Sequence, residues 1–155
     1  MSLKIIEGDI TKLEVDAIVN AANTDLLMGS GVCGAIFNAA GPFEMQAACD
    51  RLSPIKTGEA VITPGFKLPA KHVIHTAGPI YDNDNPEKSE EELRNSYINS
   101  LKLAIDNGLD SIAFPLISSG IYGYPKEEAL EVAKDSINTF LEDNDLTVYL
   151  VLFKR

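Results

Sequence analysis

Apolar and polar positions repeat along the chain with two different periods. Short apolar runs rich in β-branched residues predict buried strands, and longer stretches with an apolar residue every three or four positions predict helices. Because strand-like and helix-like segments follow one another in turn, the pattern favours an α/β layered fold. The predicted strands are residues 3–8, 17–21, 59–63, 72–77, 111–116 and 147–153.

The predicted helices lie between these strands. The first carries small apolar residues, which allow close packing on a sheet, and Gly41-Pro42 breaks it. A capping-box pair, Ser89 and Glu92, opens the third helix, and Pro125 suits the first position of the last. The predicted helices are residues 31–40, 43–52, 89–108 and one that begins at Pro125.

Length and composition narrow the class of protein. With 155 residues, 45% of them apolar and 23% charged, the chain suits one domain over residues 1–155. No apolar run approaches the roughly 20 residues of a membrane helix, and the N-terminus lacks a signal-peptide core. The two cysteines, Cys33 and Cys49, do not suggest a disulfide framework. These features predict a cytoplasmic protein.

The charge of the chain limits its partners more sharply. Thirteen basic residues against 23 acidic ones give a net charge of −10. This balance argues against a nucleic-acid surface, which normally needs a basic face, and its field repels anionic ligands. We therefore expect no nucleic-acid partner, and we expect any phosphate site to be local and built from oriented dipoles. We also expect a monomer without a membrane partner.

The segment from Asn20 to Gly41 offers such a site. It has three glycines within six residues, at positions 29, 31 and 34, and Asp25 is its one charged residue. The helix that follows begins with backbone N–H groups that lack intrahelical partners, and the helix dipole adds partial positive charge there. The pattern therefore predicts that backbone amides bind an anion.

A second glycine loop, residues 118–125, also lies between a predicted strand and a predicted helix, and it adds hydroxyl groups. Two such loops at the same edge of a sheet could hold a pyrophosphate from both sides. The alternative is that each loop is only a tight turn from strand to helix. This alternative is weaker for the pair than for either loop alone.

The dinucleotide site of an oxidoreductase is a competing interpretation, because residues 29–34 read G-x-G-x-x-G. In such a site the glycines follow the strand directly, and an acidic residue ends the next strand. Here residues 23–28 intervene, and the next strand ends in Thr63-Pro64-Gly65 without an acid. Hydride transfer is therefore less favoured.

Six stretches of the sequence resemble the macrodomain family, and within it the MacroD-like group. They come in the family's order and cover nearly the whole chain, so the combination is highly specific. The resemblance implies a single three-layer α/β/α domain with a mixed, mostly parallel sheet of about six strands and a cleft for ADP-ribose. The matching stretches are GDIT (8–11), NAAN (20–23), the glycine loop with GAI (29–36), AAGP (39–42), VIHTAGP (73–79) and FPLISSGIYGYP (114–125).

The resemblance also implies roles for single residues. Asp9 matches the acid that accepts a hydrogen bond from the adenine amino group, with the Ile10 amide beside it, and Asn23 matches the residue that holds the distal ribose hydroxyls. A carboxylate that only accepts suits an exocyclic amine, and an amide that donates and accepts suits a diol. From the pattern alone, Asp9 is an ordinary turn aspartate, and a turn-forming role explains Asn23 equally well.

Further ligand-binding residues follow from the same resemblance. Tyr122 matches the aromatic residue that packs on the distal ribose, with packing of a loop tip as the alternative. Phe153 is a candidate to stack on adenine, with a core position as the alternative. The residues that fall in the phosphate loops are Gly31, Val32 and Gly34 in the first and Ser118, Ser119, Gly120, Ile121 and Tyr122 in the second.

Two positions depart from the family's hydrolases. Ten residues after the ribose asparagine, such enzymes carry an aspartate that helps to activate water, and four residues further on many carry histidine; here the two positions hold Cys33 and Phe37. Losing a general base costs about 100-fold to 10,000-fold in rate. A nucleophilic Cys33 would need a thiolate, and no cation lies near it in sequence, so a packing cysteine is favoured. Hydrolysis assisted by a ligand phosphate stays open without Cys33.

His72 and His75 raise the question of a metal site. Residues three apart on a strand point to opposite faces, so one ion cannot easily use both. We predict no metal site and no cofactor, and expect His75 to be hydrogen-bonded within the strand.

These observations favour a protein that binds ADP-ribose or ADP-ribosylated protein and hydrolyses the ADP-ribosyl ester slowly or not at all. Asn23 and Cys33 are its candidate catalytic residues. The alternative is an active ADP-ribosyl-protein hydrolase or O-acetyl-ADP-ribose deacetylase, and a nicotinamide-dependent oxidoreductase is less favoured.

Overall fold

The computed structural model describes residues 2–153, so the two ends of the predicted 1–155 domain lie outside the described residues. Within this part of the chain, six strands and four α-helices confirm the α/β pattern, and a 3-10 helix, Ile10–Lys12, follows the first strand. The strands are β1 (Ser2–Gly8), β2 (Ala17–Ala22), β3 (Ala60–Pro64), β4 (His72–Ala77), β5 (Ser111–Pro115) and β6 (Thr147–Phe153). The helices are α1 (Gly31–Ala40), α2 (Pro42–Asp50), α3 (Pro86–Asp106) and α4 (Lys126–Leu141).

The strands form one mixed sheet in the order β1-β6-β5-β2-β4-β3. All neighbouring pairs are parallel except β3 and β4. Strands β2 and β5 are neighbours at the centre of the sheet. After β2 the chain continues to β3 and β4 on one side of this pair, and after β5 it continues to β6 on the other side. A crevice opens outside the carboxyl ends of two strands where such connections diverge. The topology therefore places the loops after β2 and β5 side by side at one edge of the sheet.

Helices cover both faces of the sheet, because successive side chains of a strand point to opposite sides. Val19 and Ile74 belong to the core cluster that includes residues of α3 and α4. Ile18 and Val73 belong to the second core cluster, which includes residues of α1 and α2. The two clusters give the three-layer α/β/α arrangement that the resemblance implies.

Helix α3 begins one turn earlier than predicted. Asn85 is its N-cap, with a side chain that accepts a 3.3 Å hydrogen bond from the Lys88 amide, and Pro86 follows in the first turn. Ser89 is buried inside the helix, and its hydroxyl accepts a hydrogen bond from the Asp82 amide at 3.0 Å. The capping-box prediction is therefore wrong, because Asn85 and Pro86 already start the helix and leave Ser89 to anchor the preceding loop.

Two other helix ends differ by small amounts from the prediction. Pro125 is the N-cap of α4, so the helix begins one residue later, at Lys126. Helix α2 begins at Pro42, directly after Gly41, which joins it to α1 with a φ of +110°. None of the helices in the described part of the chain combines the length and the hydrophobicity of a membrane span.

Candidate functional site

A cleft of about 670 Å³ opens at the sheet edge where β2 and β5 end. Both glycine loops line it, together with the last residues of β6, and its volume is typical of small-molecule sites. The structure thus brings together most of the residues singled out in the sequence. The predicted residues that line the cleft are Asn23, Gly31, Val32, Cys33, Ser118, Ser119, Gly120, Ile121, Tyr122 and Phe153. Asp9, Ile10 and Gly34 are not among the lining residues.

The first loop brings the start of α1 to the cleft. The helix begins at Gly31, whose φ of +59° is a conformation that favours glycine. Ser30 is the N-cap, but its side chain makes no capping hydrogen bond. Within residues 2–153, no hydrogen bond takes a backbone amide of residues 29–33 as its donor. Five consecutive amides are therefore unpaired at a helix N-terminus, where the dipole attracts anions.

The second loop presents a similar row of amides. It folds on two backbone hydrogen bonds, from Gly123 to the Gly120 carbonyl at 3.0 Å and from Tyr124 to the Ser118 carbonyl at 2.9 Å. No hydrogen bond among the described residues is donated by an amide of residues 119–122. These four residues line the same cleft as residues 29–33 of the first loop. Both loops thus bring unpaired backbone N–H groups to one cavity.

Ser118 combines an uncommon backbone conformation with a buried, unpartnered hydroxyl at the cleft. Its φ of +67° is uncommon for a residue with a side chain. Its hydroxyl is buried and has no hydrogen-bond partner within residues 2–153. An unpaired buried hydroxyl costs about 1–3 kcal/mol. Strain and an orphaned polar group at one cleft-lining residue are typical of a binding site.

Asn23 is engaged within its own loop. Its amide nitrogen donates to the Leu27 carbonyl at 2.8 Å, and its amide oxygen accepts from the Leu27 backbone at 3.0 Å. This is the turn-forming role that the pattern alone allowed. The side chain still has one N–H and one oxygen lone pair for a ligand, because an asparagine amide carries two donors and two acceptor positions.

A chain of buried polar side chains lies behind Cys33. Its Sγ is 3.7 Å from the Asn20 amide nitrogen and 3.7 Å from the Leu27 carbonyl. The same Asn20 nitrogen is 3.0 Å from Nδ1 of His75, and Nε2 of His75 is 3.0 Å from the Thr63 hydroxyl. Because Asn20 donates, Nδ1 accepts and Nε2 carries the proton of the neutral imidazole. His75 is thus a hydrogen-bonded core residue, as predicted.

Phe37 and Cys49 also contact this buried chain. Phe37 is fully buried and packs edge-on against the His75 ring, with the ring centroids 6.3 Å apart, so it faces the core and does not line the cleft. Cys49 Sγ lies 3.8 Å from Nε2 of His75. Burial, above all, raises the pKa of the Cys49 thiol to about 12, so it stays protonated at neutral pH. In the described part of the chain, no group of three or more His, Cys, Asp or Glu residues is placed to hold a metal ion.

The buried imidazole makes the stability of the fold depend on pH. Burial lowers the pKa of His75 from 6.5 to about 4. The unfolded chain therefore takes up a proton at a higher pH than the folded chain does. The contribution of His75 is complete above pH 6.5 and is lost as the pH falls toward 4. We expect this residue alone to reduce the free energy of unfolding by about 3 kcal/mol across that window.

Urea unfolding between pH 4 and 7 checks this prediction. His75→Gln should show a shallower fall of stability with decreasing pH than the wild type. Equal slopes in the two proteins would contradict it. The imidazole resonances of the wild type give the same pKa directly, should the His75 variant fail to fold.

Asp9 lies next to the strand pair that brings Phe153 to the cleft, although Asp9 itself does not line it. In the sheet register Phe153 pairs with Gly8, and Asp9 follows directly. Phe153 is 70% exposed and lines the cleft, so it is not a core residue. Oδ1 of Asp9 accepts hydrogen bonds from the Thr11 amide at 3.0 Å and from its hydroxyl at 2.6 Å, which lower the pKa of the carboxyl. The carboxylate therefore caps the 3-10 helix through one oxygen, and the Ile10 side chain is buried beneath it.

Gly34 supports the first loop from below. An added Cβ there would lie 2.5 Å from the carbonyl oxygen of Gly29, closer than real contacts of this kind. The sequence prediction gave Gly34 a direct place in the phosphate loop. In the structure Gly34 does not line the cleft. Its lack of a side chain instead allows the Gly29 carbonyl to pack against the start of α1.

Lys126 was missed by the sequence analysis. Among the described residues, 2–153, it is the one charged residue that lines the cleft, and it is the first residue of α4. Backbone amides are therefore not the only positive groups at this site. Lys126 directly follows Pro125, the last residue of the second glycine loop. This position in the sequence could have indicated that its charge lies near the cleft.

Comparisons with known proteins agree with this geometry. The family model described as "Macro domain" matches residues 19–133. The ADP-ribose glycohydrolase MACROD1 of Rattus norvegicus is 50% identical over 92% of this chain, which spans 55% of the length of that relative. A macrodomain of Oceanobacillus iheyensis solved with ADP is 48% identical, with a TM-score of 0.91 over 97% of this chain and 83% of that one.

A more distant macrodomain gives the same result. The Trypanosoma brucei macrodomain, solved in complex with ADP-ribose, is 39% identical and has a TM-score of 0.86 over 96% of this chain and 63% of that one. The six-stranded mixed sheet, the two glycine loops around one cleft and the family match over most of the sequence lead to one conclusion. The chain belongs to the macro domain family.

Proposed function

We propose that the chain binds ADP-ribose, free or attached to protein, in the cleft between the two glycine loops. The observation that carries this proposal is the pair of unpaired amide rows, which belong to residues 29–33 and 119–122, all of which line the same cleft. A pyrophosphate needs many donors, and two opposed rows supply them without a cationic surface. Lys126 adds one positive charge at the rim. The ligands in the Oceanobacillus and Trypanosoma structures support the assignment.

The position of the pyrophosphate between the loops determines where the adenine and the distal ribose would lie. Adenine would stack on Phe153, with its amino group toward Oδ2 of Asp9, because Oδ1 already serves the 3-10 helix. The distal ribose would then lie near Asn23 and Tyr122. The remaining N–H and lone pair of the Asn23 amide suit its hydroxyl groups. The orphaned Ser118 hydroxyl would gain a partner from the phosphates.

Hydrolysis by this chain is proposed to be slow. Among residues 2–153, no carboxylate or imidazole lines the cleft itself, so no general base stands at position 33, where hydrolases of the resembled group carry an aspartate. Cys33 and Asn23 are the nearest candidates, and a ligand phosphate could position water instead. The name of the rat relative favours the alternative of an active hydrolase. Binding of O-acetyl-ADP-ribose and a cytoplasmic monomer belong to the same proposal.

Titration calorimetry with ADP-ribose tests the ligand. We expect micromolar affinity for the wild type, and an absence of heat would refute the assignment. Asp9→Asn should raise the dissociation constant about tenfold, the value of one hydrogen bond to a charged group. Asparagine keeps the oxygen that caps the 3-10 helix and replaces the other with an amide NH2 group, which cannot accept a hydrogen bond from the adenine amino group.

Asp16→Asn is the matched control. The Asp16 carboxylate also accepts a backbone hydrogen bond, from Asp110 at 2.8 Å, but it lies outside the cleft. Its variant should bind ADP-ribose as the wild type does. Equal affinity of the Asp9 variant and this control would show that Asp9 does not contact the ligand.

A further inference from the structure

A second cavity of about 330 Å³ adjoins the distal end of the cleft. The two cavities share Asn23, Gly78 and Tyr122. Asn23 and Tyr122 are the residues proposed for the distal ribose. A group attached to the anomeric carbon of that ribose can therefore extend away from the pyrophosphate and into the second cavity. We call this cavity the acceptor chamber; Thr24, Thr57, Ile80 and Glu92 are among its other walls.

The walls of the acceptor chamber are tied to the same loops that form the cleft. The Thr24 carbonyl accepts a hydrogen bond from the Ile55 amide at 2.9 Å. The Tyr81 amide donates to the Tyr122 carbonyl at 2.8 Å, which joins the loop after β4 to the second glycine loop. A chamber that is preformed in this way binds without a large ordering cost.

The charge of the two cavities is opposite. In the part of the chain that the structure describes, Lys126 is the one charged residue that lines the cleft, and Glu92 is the one that lines the acceptor chamber. No ion pair within residues 2–153 uses Glu92. The cleft thus suits the anionic part of a ligand, and the acceptor chamber suits a cationic part on the other side of the distal ribose.

We propose that the acceptor chamber receives the polypeptide side of an ADP-ribosylated protein and that Glu92 selects substrates with a basic residue beside the modified one. A carboxylate at this place attracts a neighbouring lysine or arginine and repels a neighbouring acid. Ile80, which is 69% exposed, offers apolar surface to the adjacent peptide. This inference rests on the proposed function, because the chamber meets an acceptor only when ADP-ribose fills the cleft.

Two peptides that carry the same non-hydrolysable ADP-ribosyl group test the inference. They differ only in the neighbouring residue, which is lysine in one and glutamate in the other, and their dissociation constants are measured by fluorescence competition. For the wild type we expect the lysine peptide to bind about fivefold more tightly, in line with one partly exposed ion pair. Glu92→Gln should reduce the ratio to about twofold, and Glu92→Lys should reverse it.

Glu91→Gln is the matched control. Glu91 is exposed, precedes Glu92 on α3 and lines neither cavity. Its substitution removes the same charge from a protein whose net charge of −10 already favours basic peptides. We expect it to keep the wild-type ratio.

The outcomes separate this inference from the proposed function. The same peptide ratio in Glu92→Gln and Glu91→Gln, with wild-type binding of free ADP-ribose intact, overturns the role of Glu92 alone. A wild type that binds no free ADP-ribose overturns the proposed function and the inference with it.

Discussion

Replacing Gly34 with alanine is expected to weaken ADP-ribose binding by about 100-fold, although Gly34 does not line the cleft. The added Cβ would lie 2.5 Å from the Gly29 carbonyl oxygen. That oxygen belongs to the backbone, so no change of rotamer relieves the contact. The first loop must shift, and the amides of residues 29–33 shift with it. Overpacking of this kind costs about 1–3 kcal/mol, and the upper end applies where only backbone can move.

Gly65→Ala separates loss of affinity from loss of stability. A Cβ at Gly65 would clash with the Ala70 carbonyl oxygen, again a backbone atom, but Gly65 lies outside the cleft. Both variants should melt at lower temperature than the wild type, and only Gly34→Ala should lose affinity by calorimetry. Wild-type affinity in Gly34→Ala would mean that the position of the first loop does not control binding.

The order of elements could be predicted from the sequence because most strands are short apolar runs with clear ends. The predicted limits of residues 72–77 and 147–153 agree with β4 and β6. The start of α3 could not be placed as well, because Asn85 and Ser89, which are both residue types that cap helices, lie four residues apart. Ser89 does not cap the helix in the structure, because its hydroxyl accepts a hydrogen bond from the Asp82 amide. The local sequence does not show this contact.

The glycine loops could be predicted because glycine-rich segments after buried strands are a local signal. What local sequence cannot show is which groups are already used. The Asn23 amide already forms hydrogen bonds with the Leu27 backbone, and Oδ1 of Asp9 already accepts hydrogen bonds from Thr11. Each side chain therefore has fewer donors or acceptors free for a ligand than its residue type suggests. Glu92 joins Asn23 in the acceptor chamber only through folding, since the two lie far apart along the chain.

The side chain at position 33 is expected to set the rate of hydrolysis. Cys33→Asp should release ADP-ribose from a modified carboxylate side chain about 100-fold faster than the wild type, the lower end of what a general base contributes. The position lines the cleft and is in the first turn of α1, where the dipole and the Asn20 N–H stabilise a carboxylate. The rate of the variant should rise with pH along one ionisation, because only the carboxylate form accepts a proton.

Two further substitutions at the same position isolate the cause. Cys33→Asn has the size of the aspartate variant but no basic group, so its rate should stay at the wild-type level under single-turnover conditions. Cys33→Ala should also keep the wild-type rate if the thiol only packs against Asn20 and Leu27. A large loss in the alanine variant would instead make Cys33 the nucleophile. A wild-type rate already equal to that of Cys33→Asp would mean that water is activated without any base at position 33, which leaves the ligand's own phosphate as the group that holds it.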